Sequence, residues 1–307
     1  MICRTARVVI NPFVLILFFF STLTVAQSST TGITLTQATG ATLILPGPAE
    51  RIITLAPNLA ELVFAAGAGD RLKAVVEYSN FPAEVTRIPR VGDAFRIDLE
   101  RIVELEADLV IAWRSGNPQT ALQKLEQLGI TVWQIELTRP EEIADAVENI
   151  SRAAGTAARG QPVAHEMRKR LKALRQFNAH KVQVDFFYQI ASHPLYTING
   201  QHIISHSLEI CSGNNIFSEL TALAPQVSRE SVILADPQVM IAPEIPGDPP
   251  ALAVWRDWPR LQAVQNDNLL YLPADEISQA TPRLLDSIEL ACELLDEVRE
   301  SGKQRVE

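Results

Sequence analysis

The sequence predicts an α/β protein made of two parallel-sheet lobes joined by one long helix. Three observations carry that expectation. From Arg51 onward, short continuously apolar runs alternate with amphipathic segments, as in parallel sheets covered on both faces. The alternation stops between Glu141 and Asn178 and resumes beyond it. Finally, DLERIVELEADLVIA (98–112) returns as SRESVILADPQVMIA (228–242), at an ungapped offset of 130 residues.

The first 26 residues read as an export signal. Arg4 and Arg7 form a charged start, Phe13 to Phe20 an apolar centre, and Thr24-Val25-Ala26 a small-residue cleavage site. The apolar run falls short of the ~20 residues that a membrane span needs. No cysteine follows it to carry a lipid. The expectation is a chain cleaved near Ala26 that acts outside the cytoplasm.

The first lobe is expected over 48–150. RIITLA (51–56) reads as a buried strand. Asn58 and Glu61 have the spacing of a helix capping box, and Gly67 ends that helix. LKAVVEY (72–78) is a second strand, a helix over 98–105 enters DLVIAW (108–113), and a helix over 117–128 enters ITVWQIE (130–136). The joining helix is expected over 151–180. Val163, Met167, Leu171 and Leu174 form one apolar stripe on it, the other faces being wet. The second lobe, 181–303, repeats the pattern with VQVDFFYQI (182–190), a helix over 203–211, VMIA (239–242), LLYLP (269–273) and a last helix from Pro282.

Helix-into-strand units resemble one another widely, so the internal repeat is open between coincidence and two related halves. The matched Glu100 and Glu230 favour related halves. Such halves would present the two glutamates as a pair on one surface, suited to a two-fold symmetric partner.

Composition excludes some classes. The chain has 27 basic and 36 acidic residues, a formal charge of −9 that becomes more negative without Arg4 and Arg7. No block of Lys and Arg interleaves with aromatics, so a nucleic-acid partner is not expected. Of three cysteines, Cys3 leaves with the signal. Cys211 and Cys292 would be a disulfide or two buried thiols in an exported chain.

Enzyme motifs such as GxSxG, HExxH and GxxxxGK[ST] are absent. His202 and His206 are four apart and could share a helix face, but no third metal ligand lies nearby in sequence, and no metal is expected. The residues just past the strand ends carry more. In parallel sheets ligands bind at the strands' carboxyl ends, and here these ends offer Tyr78 with Phe81 close behind, Trp113 followed by Arg114, Tyr196, and Asp275. Aromatic faces with a cation and an anion suit a large, flat, partly apolar ligand with polar edges. Trp255 and Trp258 either line that cleft or pin a helix start.

RIITLAPNLAELVFAAGAGD, DLERIVELEADLVIAWRSGNPQTALQKLEQLGI, LEICSGNNIF and PQVSRE together resemble the periplasmic cobalamin-binding receptors of ABC importers, within the wider cobalamin, haem and siderophore receptor superfamily. The resemblance spans nearly all of the chain after the signal. It implies a class III periplasmic-binding-protein fold, with a ligand clamped between lobes and little hinge motion. It implies cobalamin (vitamin B12 or another corrinoid) as ligand, no resident cofactor, and no enzymatic activity. Tyr78, Trp113, Tyr196 and Asp275 match the family's pocket positions. Glu100 and Glu230 match its contacts to the two permease subunits, and Cys211 with Cys292 matches its disulfide. The chain departs from the family pattern at Ala94 or Phe95, at Ala224, and at Glu276, Ile277 and Gln279. The competing expectations are a haem or ferric-siderophore receptor of the same architecture and, more remotely, an exported two-lobed hydrolase.

Overall fold

A computed structural model describes residues 1–2 and 32–303. The expected export signal, with Cys3, Arg4 and Arg7, lies outside the described residues. The chain opens with a hairpin of β1 (Ile33–Thr36) and β2 (Thr42–Leu45), followed by β3 (Ile52–Thr54), α1 (Pro57–Ala65) and β4 (Leu72–Ala74). Then come α2 (Leu99–Glu104), β5 (Leu109–Trp113), α3 (Gln119–Gln127) and β6 (Val132–Ile135). Two helices follow without a strand, α4 (Pro140–Ala153) and α5 (Ala157–Asn178). The second half holds β7 (Val184–Tyr188), the short pair β8 (Ala191–Ser192) and β9 (Leu195–Tyr196), α6 (Ile203–Ile210), β10 (Gly213–Asn215), α7 (Arg229–Ala235) and β11 (Val239–Glu244). It ends with α8 (Gln262–Gln265), β12 (Leu269–Pro273), α9 (Ala274–Ile277) and α10 (Leu284–Lys303).

The strands form two four-stranded sheets, ordered β4-β3-β5-β6 and β10-β7-β11-β12. Every neighbouring pair within them is parallel. β3, β5 and β11 are buried along most of their length, as strands covered on both faces must be. One continuous core runs from the hairpin through α1, α4 and α5 to α6 and α10, and a separate cluster backs each sheet. The stripe on α5 is where expected, with Met167 and Leu171 buried and Val163 and Leu174 packed against the same core. Its wet faces brace both halves: Arg168 reaches Asp145 and Glu148 on α4 at 2.7 and 2.6 Å, and Arg170 reaches Asp286 and Glu289 on α10 at 2.8 and 2.7 Å.

Three expectations are corrected. β4 is shorter than residues 72–78, because Val75 leaves β3 and pairs instead with the incoming segment 89–91. Asn58 and Glu61 form no capping box: Pro57 starts α1 with Ala56 as its cap, which places Asn58 inside the helix. The N-terminal hairpin was not anticipated from the pattern. Its Gln37 side chain bonds both Val132 and Gln134, and Thr36 accepts the indole N–H of Trp133 at 2.9 Å, so it is fastened to β6.

The internal repeat has a structural counterpart at the same offset. Asp98 and Ser228 each cap their helix by accepting the backbone N–H three residues on. Glu106 and Asp236 leave the helix with φ of 48° and 45°. Asp108 and Gln238 then each accept a backbone N–H at the start of the adjoining central strand, from Arg51 and from Asp185.

Candidate functional site

A cavity of about 340 Å³ opens between the two sheets, beyond their carboxyl ends. The first half supplies Ala56 to Leu59 after β3, Trp113 and Ser115 after β5, and Ile135 to Thr138 after β6. The second half supplies Gln201 to Ile203 at the entry to α6, Leu223, and Ser278 to Ala280 after α9. Each wall carries four polar residues, beside six apolar or aromatic ones on the first and three apolar ones on the second.

Of the five sequence-derived ligand residues, Trp113 lines this cavity; Tyr78, Arg114, Tyr196 and Asp275 are not among its lining residues. Tyr78 is 77% exposed with a φ of 66°, Arg114 and Asp275 are exposed, and Tyr196 is half-buried beside Gln226. Phe81 instead lies under the Arg283 guanidinium, 4.2 Å from its ring centre. Arg283 in turn grips Glu61 with two hydrogen bonds of 2.6 and 3.0 Å.

Trp113 is held at both ends. Its backbone N–H donates to Asn117 Oδ1 at 2.7 Å, and Asn117 Nδ2 donates onward to the carbonyls of Leu55 and Ala94 at 2.8 Å each. Its indole N–H donates to Glu136 Oε1 at 3.0 Å. The Glu136 carboxylate also takes the backbone N–H and the hydroxyl of Ser115, both at 2.9 Å. Sequence reasoning passed over Glu136. The available signal was an acidic residue ending the strand beside the one that ends in Trp113; the register pairs Trp113 with Ile135.

The sequence left His202 between a structural histidine and a metal ligand, favouring the former. It caps α6, its Nδ1 accepting the Ile204 N–H at 3.2 Å, and it lines the cavity. That bond places the ring proton on Nε2. Burial, with His206 adding to it, lowers its pKa to about 4, so it is neutral at pH 7. His206 lies 3.1 Å from Glu209 through its own Nδ1. Among the described residues no group of three or more His, Cys, Asp or Glu gathers to hold a metal.

Glu100 and Glu230 are exposed in the first turns of α2 and α7. The Glu230 carboxyl is held below its ordinary range, chiefly by its own backbone N–H and then by the Ser228 hydroxyl. Trp255 is buried in the second half's core, donating to Gln189 Oε1 at 2.8 Å and packing edge-on to Phe187, so it is not a cleft residue. Trp258 stacks beside it and near Arg229. Cys211 and Cys292 form a disulfide between the end of α6 and α10, with Cα atoms 4.7 Å apart.

Residues 52–276 match the family model described as periplasmic binding protein. The vitamin B12-binding protein of Vibrio cholerae serotype O1 is 41% identical over 257 residues, covering 82% of this chain and 91% of that protein. The crystal structure of the periplasmic vitamin B12 binding protein BtuF of Vibrio cholerae matches with a TM-score of 0.77 at 40% identity, over 83% of this chain and 99% of that one. The periplasmic heme binding protein HutB of Vibrio cholerae, at 21% identity, shares the fold with a TM-score of 0.69 over 80% of this chain and 98% of that one.

Proposed function

The chain belongs to the periplasmic binding protein family, and from that premise we propose that it is a carrier that takes up cobalamin, vitamin B12 or another corrinoid, in the cleft between its sheets and delivers it to a two-fold ABC importer. The observation carrying this reading is the 41% identity to a vitamin B12-binding protein along nearly that protein's whole length, joined to an indole fixed in the cleft wall. Trp113 gives a planar ligand a stacking face. Tyr78, Arg114, Tyr196 and Asp275 serve as outer contacts for a ligand larger than the cavity. The lobes are 48–150 and 181–303, and the segment 151–180 between them holds the end of α4 and the long helix α5, Ala157–Asn178. No reaction is assigned to the cleft, and no resident cofactor.

Delivery rests on Glu100 and Glu230. Each is a solvated carboxylate at the start of a side-chain-capped helix at equivalent places of the two halves, which suits basic residues on two identical permease subunits. The carrier acts in the periplasm after cleavage near Ala26.

Haem or a ferric siderophore is the second reading, supported by likeness of fold to a heme-binding protein. His202 weighs against haem. Its Nδ1 is already engaged and its Nε2 carries the proton, so it offers a donor to the cleft and no lone pair for iron. Isothermal titration of residues 27–307 with cyanocobalamin, beside visible spectra with haemin, tests the assignment. Saturable one-to-one heat with cyanocobalamin and no haemin band shift is expected; the reverse result overturns it.

A further inference from the structure

We propose that Glu136 and Gly116 are a positioning pair that seats the Trp113 indole as a fixed face of the cleft. The inference rests on reading this cleft as the ligand site. Trp113 is 38% exposed at a strand end, where an untethered ring would turn about its side-chain bonds and lose that freedom on binding. Three contacts hold the residue beforehand, one on its backbone and two on its ring. Asn117 fixes the Trp113 backbone N–H. Glu136 takes the indole N–H, and its remaining bonds to Ser115 lock the carboxylate in place.

Gly116 supplies the third. A Cβ added there would overlap the Cε3, Cζ3 and Cδ2 atoms of the Trp113 ring. Its φ lies outside the left-handed region, so the missing side chain answers to the ring and not to the backbone. The indole thus rests with its benzo portion on a bare peptide and its N–H on a carboxylate. Glu136 also lines the cavity, so a direct ligand contact is the rival account of its role.

The test is a double-mutant cycle read by calorimetric titration with cyanocobalamin. Glu136→Ala and Gly116→Ala should each weaken binding about tenfold through lost preorganisation. Glu136→Gln should fall between, because its amide oxygen still accepts the indole N–H. In a Trp113→Phe background, which has no N–H to hold, Glu136→Ala should cost less than twofold. Full additivity there would overturn the proposal in favour of direct contact. Steady-state fluorescence anisotropy of the free protein, taken as the difference from its Trp113→Phe counterpart, should drop on Glu136→Ala; unchanged anisotropy would also overturn it. That second readout needs no ligand, so failure of the wild type to bind cyanocobalamin would refute the cleft reading and leave the positioning claim decided separately. Gly116→Ala keeps the Glu136 carboxylate and its partner Ser115 and acts on the ring alone, which keeps the test available if Glu136→Ala fails to fold.

Discussion

Arg283 closes a bidentate ion pair on Glu61, with hydrogen bonds of 2.6 and 3.0 Å, and so ties α1 of the first half to the start of α10 in the second. Glu61 retains 6% of its exposure and the Arg283 side chain 21%. The carboxylate holds the guanidinium above its ordinary pKa. Glu61→Ala leaves a largely desolvated cation, and should lower stability by roughly 3–5 kcal/mol. The paired change Glu61→Gln with Arg283→Met should cost less than Glu61→Ala alone. Urea unfolding of the three proteins checks both statements.

Trp113→Ala removes the cleft's aromatic wall. The lost apolar contact is worth about 1.5–3 kcal/mol, or roughly ten- to a hundredfold in Kd. Because Trp113 is 38% exposed, its removal opens no sealed core cavity, and the melting temperature should stay nearly unchanged. Titration with cyanocobalamin and a thermal melt make the two measurements. Unaltered affinity would remove Trp113 from the site.

The glutamates of α2 and α7 should govern delivery without touching capture. Glu100→Lys with Glu230→Lys should leave the cyanocobalamin Kd within twofold and abolish stimulation of the importer's ATPase in liposomes. Lysine in a helix's first turn opposes its dipole, at about 0.3–1 kcal/mol each. The Glu100→Gln, Glu230→Gln protein therefore serves as control, and should show reduced stimulation with smaller loss of stability. Persistent stimulation by the lysine variant would refute the docking role.

His202 makes stability depend on pH. Its ordinary pKa is 6.5 and burial brings it to about 4 in the fold, so the unfolded chain binds the extra proton first. Its contribution is complete above about pH 6.5, declines as pH falls, and is gone below about pH 4. His202→Asn keeps a capping side chain and does not titrate. Its denaturation midpoint should therefore fall less steeply than the wild type's between pH 6.5 and 4, as urea melts at several pH values would record.

Much of the fold was legible because burial on both faces writes a continuous apolar run, as in RIITLA and DLVIAW, and a solvated helix writes a stripe, as in 163–174. The repeat was legible too, since Asp98 and Ser228 perform one local task with side chains that suit it. What stayed hidden depends on partners distant in sequence. Glu61 satisfied a local capping rule, yet its partner Arg283 lies 222 residues away. The hairpin's strands are only four residues each, too short for the alternation of ITLT to stand out, and their hold on β6 comes through Gln37 and a tryptophan N–H. In the site, strand-end reasoning found Trp113 because its backbone position sufficed. It missed Glu136 and left the role of His202 open, because hydrogen-bond geometry and not residue type decides what each does.

The two halves are reinforced by different means, one by a fastened hairpin and the other by a covalent link between α6 and α10. A reducing agent therefore strikes the second half first, and reaches the first through the core they share. That link closes a span of 81 residues, for which chain entropy assigns on the order of 4–5 kcal/mol. Material made in a thiol-rich cell interior should accordingly lack that contribution, with the loosening greatest where α6, whose entry lines the cleft, meets α10.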